Sequence, residues 1–325
     1  MYLQKGYGFC ILTLDGIRKK LYPFKFHRNM ASNPMKQTMI FIETGGDRMK
    51  IGFYGAGRVG CTLGRYLKEH GVHVTGYYNR TAEKALEAAR WTDTLCYDSA
   101  GSLVSENDAV FLTVSDQAIA PVVRELQMQA SLQGKLLCHT SGALSSDVFA
   151  GTGAYGYSIH PLYAISNRKT SYQTLDHAWF TVEGAPEHLQ DWIMLLSEAG
   201  LRCKAISAAE KVRYHASAVM ASNLVCGLYA AAAEELVACG FGEQEAEEAL
   251  AGLFLDNAEG IAKHGPVAQL TGPVERGDAG TVAKHLAVLS GRHKEAYLLL
   301  SGLVLRTAEK KNPDRNYEPI RELLK

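Results

Sequence analysis

The chain has no excess of either charge. Its 34 lysines and arginines are balanced by 34 aspartates and glutamates over 325 residues. It therefore lacks the basic footprint of a nucleic-acid binder and the charged face of an acidic-lipid binder. With 47% hydrophobic and 21% charged residues, the composition is that of a globular protein, long enough for two domains and a large core. No Cys-x-x-Cys pair occurs among the seven scattered cysteines, and none falls in a metal-like cluster with histidine, so no metal site is expected. An odd, dispersed set fits a reduced, cytoplasmic protein whose cysteines act as small hydrophobes. Internal repeats and low-complexity linkers are missing too. One stretch, 216–233, is free of charge for long enough to raise a membrane span. It is rich in alanine, contains Ser217, Ser222, Asn223 and Gly227, and ends at Glu234 and Glu235. It reads as a buried helix of a helical domain, with no membrane partner.

What the chain does have is a glycine fingerprint. The apolar run from Ile51 leads directly into Gly55-Ala56-Gly57-Arg58-Val59-Gly60. In G-x-G-x-x-G the first glycine allows a tight turn, the second lets a pyrophosphate approach the backbone, and the third lets helix and strand pack closely. A helical pattern follows from Arg58 to His70, placing the phosphates at a helix N-terminus.

Around this loop strands and helices alternate. Strands are expected at 50–54, 72–78, 94–97, 109–114, 135–139 and 154–160, with helices at 58–70, 82–90, 117–128 and 145–149. That alternation predicts an α/β fold with a parallel, doubly wound sheet. A strand at 179–183, a helix at 186–199 and a strand at 202–206 extend it. From Ala208 the pattern is helical only: one long helix to Ala238, then helices at 243–264, 280–290 and 292–310. The expected domains are 49–207 and 208–325. Residues 1–48, with eight basic and three acidic residues and no amphipathic period, read as a poorly ordered or mis-assigned extension.

The end of the second strand chooses the dinucleotide. A carboxylate there binds the adenosine ribose of NAD, whereas a basic residue accommodates the 2′-phosphate of NADP. The strand ends Tyr78-Asn79-Arg80-Thr81 with no carboxylate. Arg80 is a charged fork suited to phosphate, and Asn79 and Thr81 are neutral donors beside it. This favours NADP. The alternative is a solvated Arg80 with Thr81 capping the next helix. Arg58 is a second candidate for phosphate.

Ligands in such sheets bind beyond the carboxyl ends of the strands. Val114, Ser115 and Asp116 follow strand four, with Ser115 or Asp116 expected to cap a helix. His139-Thr140-Ser141-Gly142 follows strand five, and Ser158-Ile159-His160-Pro161 lies at strand six. A histidine there, fixed by the next proline, suits proton transfer near neutral pH; a histidine satisfied by backbone bonds is the competing reading. At about 100° per residue, Lys211, His215 and Ser222 share one stripe of the long helix, with Asn223 near it. Polar groups on an apolar helix are either satisfied structurally or functional. In 270–278, Asp278 is expected to cap a helix, and Arg276 has the reach for a carboxylate or phosphate.

The segments GAGRVG (55–60), HTSGAL (139–144), HPL (160–162), YHASAVMASN (214–223) and LTGPVERGD (270–278) resemble a Rossmann-like family whose C-terminal half is called domain of unknown function 2520. The resemblance runs from about Met49 to Lys325. It implies an NADP-binding domain followed by an all-helical, 6-phosphogluconate-dehydrogenase-like dimerisation domain. It also implies kinship with pyrroline-5-carboxylate reductase, ketopantoate reductase, 3-hydroxyacid dehydrogenases and prephenate dehydrogenase. Asn223 is similar in place to the asparagine that handles the reacting oxygen in 3-hydroxyacid dehydrogenases. Val219 stands where that pattern has lysine, leaving His215 or Lys211 to substitute. His160-Pro161 and Ser141 resemble the His-Pro motif and strand-five serine of prephenate dehydrogenase. The expected protein is a homodimeric NADP-dependent oxidoreductase acting on a C–O or C–N carbon of a small polar metabolite. His160 leads as acid/base, His215 is the alternative, and Ser141 and Asn223 orient the reacting atom. The other expectation is a non-catalytic NADP-binding redox sensor or scaffold.

Overall fold

The computed structural model describes Glu43, Thr44 and residues 47–325. The extension expected at 1–48 lies almost wholly outside the described residues. Residues 47–325 fall in one compact unit.

Eight strands form the main sheet: β1 (Ile51–Tyr54), β2 (Val74–Tyr78), β3 (Leu95–Cys96), β4 (Ala109–Leu112), β5 (Leu136–His139), β6 (Tyr155–Leu162), β7 (Trp179–Gly184) and β8 (Arg202–Ala205). Their order is β3-β2-β1-β4-β5-β6-β7-β8. The first six are mutually parallel, and the chain reverses direction across the sheet at β1/β4, where such folds open a ligand crevice. β1 and β4 are buried at every position, as central strands covered on both faces must be. One face packs Ile51 and Phe53 against α1 (Arg58–Glu69) through Leu63 and Leu67, and against Trp192. The other packs Tyr54, Val110 and Leu112 against α3 (Ala100–Glu106) and α4 (Asp116–Gln129). The second strand leads into α2 (Ala82–Thr92).

The sheet is not parallel throughout. β7 runs antiparallel to β6, with His160 opposite Thr181, and β8 is parallel to β7 after α5 (Leu189–Glu198). A parallel neighbour needs a crossover that carries the chain back along the sheet. The link 163–178 holds only the 3-10 turn Ser171–His177, so the chain re-enters at the end it left. The helix α3 was not apparent in the sequence pattern.

Beyond Ala205 the chain is helical: α6 (Lys211–Ala221), α7 (Asn223–Ala238), α8 (Glu243–Gln269), α9 (Pro273–Arg276), α10 (Ala279–Val288), α11 (Gly291–Lys311) and α12 (Glu318–Leu323). The single long helix expected over 208–238 is interrupted at Ser222, with φ −130° and ψ −77°. Its hydroxyl donates to the Ala218 carbonyl at 2.7 Å, a back-bond of the kind that bends helices. Nor is this segment buried within the chain: Ala233 is the one buried residue of α7, Leu224 is 59% exposed, and Leu253 of α8 is 72% exposed. By length and composition alone, Ala208–Ala238 would suffice to cross a membrane. A small separate core joins Val274, Val282, Leu305, Tyr317 and Ile320.

Candidate functional site

The glycine loop lies where β1 meets α1. Gly55 has φ +115°, and a Cβ there would lie 2.7 Å from the Thr113 carbonyl oxygen. A Cβ on Gly60 would lie 2.4 Å from Thr113 Oγ1 and 2.5 Å from the Gly55 oxygen. Both glycines are thus required by the protein's own packing. Gly57 is different: its φ of −83° suits any residue, and the nearest atom to an added Cβ is 3.9 Å away. Nothing in the chain needs a glycine there, whereas a ligand lying against the backbone would. The first-turn amides of α1 have no intrahelical acceptor, no side chain caps them, and no acid occupies that turn. Arg58 is exposed and Val59 half-buried beside them.

Asn79 works as scaffold. Its Oδ1 accepts from the Ala56 amide at 3.3 Å and its Nδ2 donates to the Thr81 carbonyl, tying the loop to the end of β2. Arg80 is exposed. Thr81 holds the N-cap position of α2 without a side-chain capping bond, contrary to the capping alternative, so its hydroxyl is available.

The second part of the site lies beyond β4, β5 and β6. Val114 is half-buried and packs on the core. Ser115 occupies the N-cap of α4 but makes no capping bond. Asp116 is not a cap either: it is exposed, and its Oδ2 accepts from Ser141 Oγ at 2.8 Å. Ser141 Oγ also accepts from the amides of Ala143 and Leu144. Its donor and acceptor capacity is spent, so it shapes the loop and is not free to orient a substrate.

His160 Nδ1 lies 2.7 Å from the Tyr214 hydroxyl. The His215 ring stands 6.3 Å from it at 80°. Both close on Gly142, where a Cβ would meet His215 Cδ2 at 2.6 Å and His160 Nε2 at 2.9 Å. Burial, reinforced by the Lys211 charge, pushes the His160 pKa down to about 4. The ring is neutral at physiological pH and does not titrate near neutrality as its motif suggested. His139 is likewise driven to about 4 by burial. Its two nitrogens serve the Ser145 carbonyl and the Ser141 amide, so it is a structural histidine.

Lys211 does not face the cleft. It is 1% exposed, and its ammonium donates to the Ser141 carbonyl at 3.1 Å and to Ser158 Oγ. Burial lowers its pKa to about 8. The proposed stripe of Lys211, His215 and Ser222 ends at the Ser222 break. Asn223 lies past that break, exposed, with its Oδ1 accepting from Ser222. Among the described residues no hydrogen bond joins it to His160 or Ser141. Asp278 caps α10 as expected, accepting from the Thr281 amide; Arg276 is exposed.

Sequence reasoning missed the roles of Tyr214, Asp116, Ser158 and Thr181. Thr181 faces His160 across the antiparallel ladder. Its Oγ1 is buried without a hydrogen bond at full geometry, beside the Tyr214 hydroxyl. The signal for Tyr214 was its place next to His215; nothing local marked its pairing with a strand 54 residues away.

A glycine-loop sheet with order 3-2-1-4-5-6, joined through a polar cleft to an all-helical unit, defines a Rossmann protein of two parts. Residues 35–161 match the model of a Rossmann-like domain, and residues 178–303 match that of the domain of unknown function DUF2520. The chain thus carries a Rossmann-like domain followed by DUF2520. Among solved structures it is similar to protein TM1727 from Thermotoga maritima, at 26% identity and TM-score 0.65, covering 80% of this chain and 99% of that one. It is also similar to a "putative NADP oxidoreductase" from Bacteroides fragilis, at 22% identity and TM-score 0.61, covering 79% and 98%. A pyrroline-5-carboxylate reductase from Coxiella burnetii shares the fold at 16% identity and TM-score 0.54, covering 81% and 98%. No curated protein matches the sequence.

Proposed function

We propose that the protein is an NADP(H)-dependent oxidoreductase acting on a C–O or C–N carbon of a small polar metabolite. The observation that carries the cofactor reading is Gly57, which no contact within the chain requires, set before a helix start that no side chain caps. Arg80 and Thr81 are the groups for a 2′-phosphate, and Arg58 lies beside the pyrophosphate path. The names of the Bacteroides and Coxiella proteins point to the same chemistry.

The bound cofactor would supply or accept the hydride. The Tyr214 hydroxyl pairs with Nδ1; in the tautomer where Tyr214 is the donor, the neutral His160 ring carries its proton on Nε2, its atom nearest Gly142. From there it presents a hydrogen-bond donor to an acceptor group of the substrate. His215 borders the same opening, while Lys211, Ser158 and Ser141 hold the loop from behind. The exposed apolar faces of α7 and α8 support a homodimer formed through them.

Fluorescence titration tests the cofactor. NADPH should bind about tenfold or more tightly than NADH, and Arg80→Gln should remove most of that preference. Equal affinities in the native protein would overturn the NADP reading.

A further inference from the structure

We propose that the cleft beside His160 recognises a cationic nitrogen, an ammonium or iminium group, through the Asp116 carboxylate. This rests on the oxidoreductase reading and narrows its substrates to C–N compounds.

The placement comes from one dipeptide. Ser141 holds Asp116 Oδ2 at 2.8 Å, and the next residue, Gly142, is closed on by His160 Nε2 and His215. Consecutive Cα atoms are about 3.8 Å apart, and Asp116 is among the charged groups acting on His160, so carboxylate and imidazoles meet around one dipeptide. Asp116 follows β4 by a short loop whose Thr113 packs against the glycine loop, donating to the Gly55 carbonyl at 2.9 Å. Ser141 is saturated by its own bonds, so the carboxylate is held in place. Its second oxygen makes no hydrogen bond among the described residues, and the side chain is exposed.

The charge is decisive. The titratable groups acting on His160 are Lys211, His215, Asp116 and His139. His139 is buried and committed to backbone. Lys211 is enclosed, its ammonium turned toward Ser141 and Ser158, and Glu183 behind it is buried and committed to Ser146. Of these groups Asp116 is the exposed one, with His215 half-buried beside it. The Asp116 carboxylate repels an anionic substrate group and gains nothing from a ketone, but it pairs with a protonated nitrogen through a charge-assisted hydrogen bond. The chemistry agrees. When a hydride from reduced nicotinamide forms the new C–H bond of an iminium, the π pair retires to nitrogen and the product is a neutral amine. No protein group has to give up a proton. A ketone would end as an alkoxide and need an acid, which neutral His160 supplies poorly.

Calorimetric titration at pH 7 with piperidinium and its neutral oxygen analogue tetrahydropyran, with and without NADP+, tests this. The native protein should bind piperidinium about tenfold more tightly than tetrahydropyran. Asp116→Asn can keep the Ser141 bond and should remove the preference, with its melting temperature reporting an intact fold. Absent piperidinium binding, equal affinities in the native protein, or a preference kept in Asp116→Asn would each overturn the assignment. Failure to bind NADP+ would count against the cofactor reading instead, because the nucleotide-free titrations still decide the role of Asp116.

Discussion

His139 and His160 are two imidazoles that burial holds near a pKa of about 4, below the usual 6.5. As pH falls from 6.5 toward 4, the unfolded chain takes up protons at these rings and the native state does not. The unfolded state then binds more protons, so stability declines through that window and is restored above it. Each ring accounts for at most about 3 kcal/mol. Urea midpoints should therefore drop between pH 6.5 and 4.5, with a shallower slope in His160→Gln; a flat profile in the native protein would refute the buried neutral state. His160 itself was legible, because a His-Pro pair at a strand end is a local signal. Its environment was not. Tyr214 and Lys211 come from one helix and Asp116 from another, and the near-neutral titration expected of the motif disappears once they surround it.

The glycine loop separates fold from ligand at the scale of an element. Gly60→Ala would drive a Cβ into Thr113 and the Gly55 carbonyl, and should cost about 1–3 kcal/mol of stability. Gly57→Ala meets no neighbour and should change stability by less than about 0.5 kcal/mol. It should still weaken NADPH binding about tenfold or more, because the new methyl fills the pyrophosphate's approach. Thermal denaturation and fluorescence titration check the pair; Gly57→Ala with native NADPH affinity would count against the loop as the phosphate cradle. The alternation of strands and helices through β6 was readable from periodicity, apart from α3. The reversal at β7 was not, since direction is set by what the 163–178 link fails to form. The break at Ser222 was hidden as well, because a serine in an alanine-rich run carries no strong breaking signal until its hydroxyl turns back onto Ala218.

At the scale of the whole molecule, α7 and α8 present apolar side chains that the rest of the chain does not cover. Leu228, Leu253 and Phe254 line a groove of about 440 Å³ between them, and apolar faces of this extent mark interfaces. A second copy placed here predicts a light-scattering mass of about twice the single chain's 35.5 kDa. Leu228→Glu with Leu253→Glu should yield monomers; a native protein that is monomeric at working concentration would exclude this arrangement. The sequence showed an apolar, small-residue helix. It could not show whether its partner was the rest of the chain or another molecule, and the exposure of Leu224 and Leu253 argues for the second.

Lys211 has a kinematic consequence. Its ammonium is fastened beneath the Ser141 carbonyl and Ser158 hydroxyl, so the first helix beyond the sheet cannot swing about the connection near residue 207 without tearing out a buried cation. Tyr214 and His215, on that same helix, must travel with the sheet. The nearest place where the backbone leaves helical geometry is Ser222. A rotation of the helices from Asn223 onward against the sheet would therefore fall at the joint between α6 and α7, leaving His160 and its two ring neighbours in place.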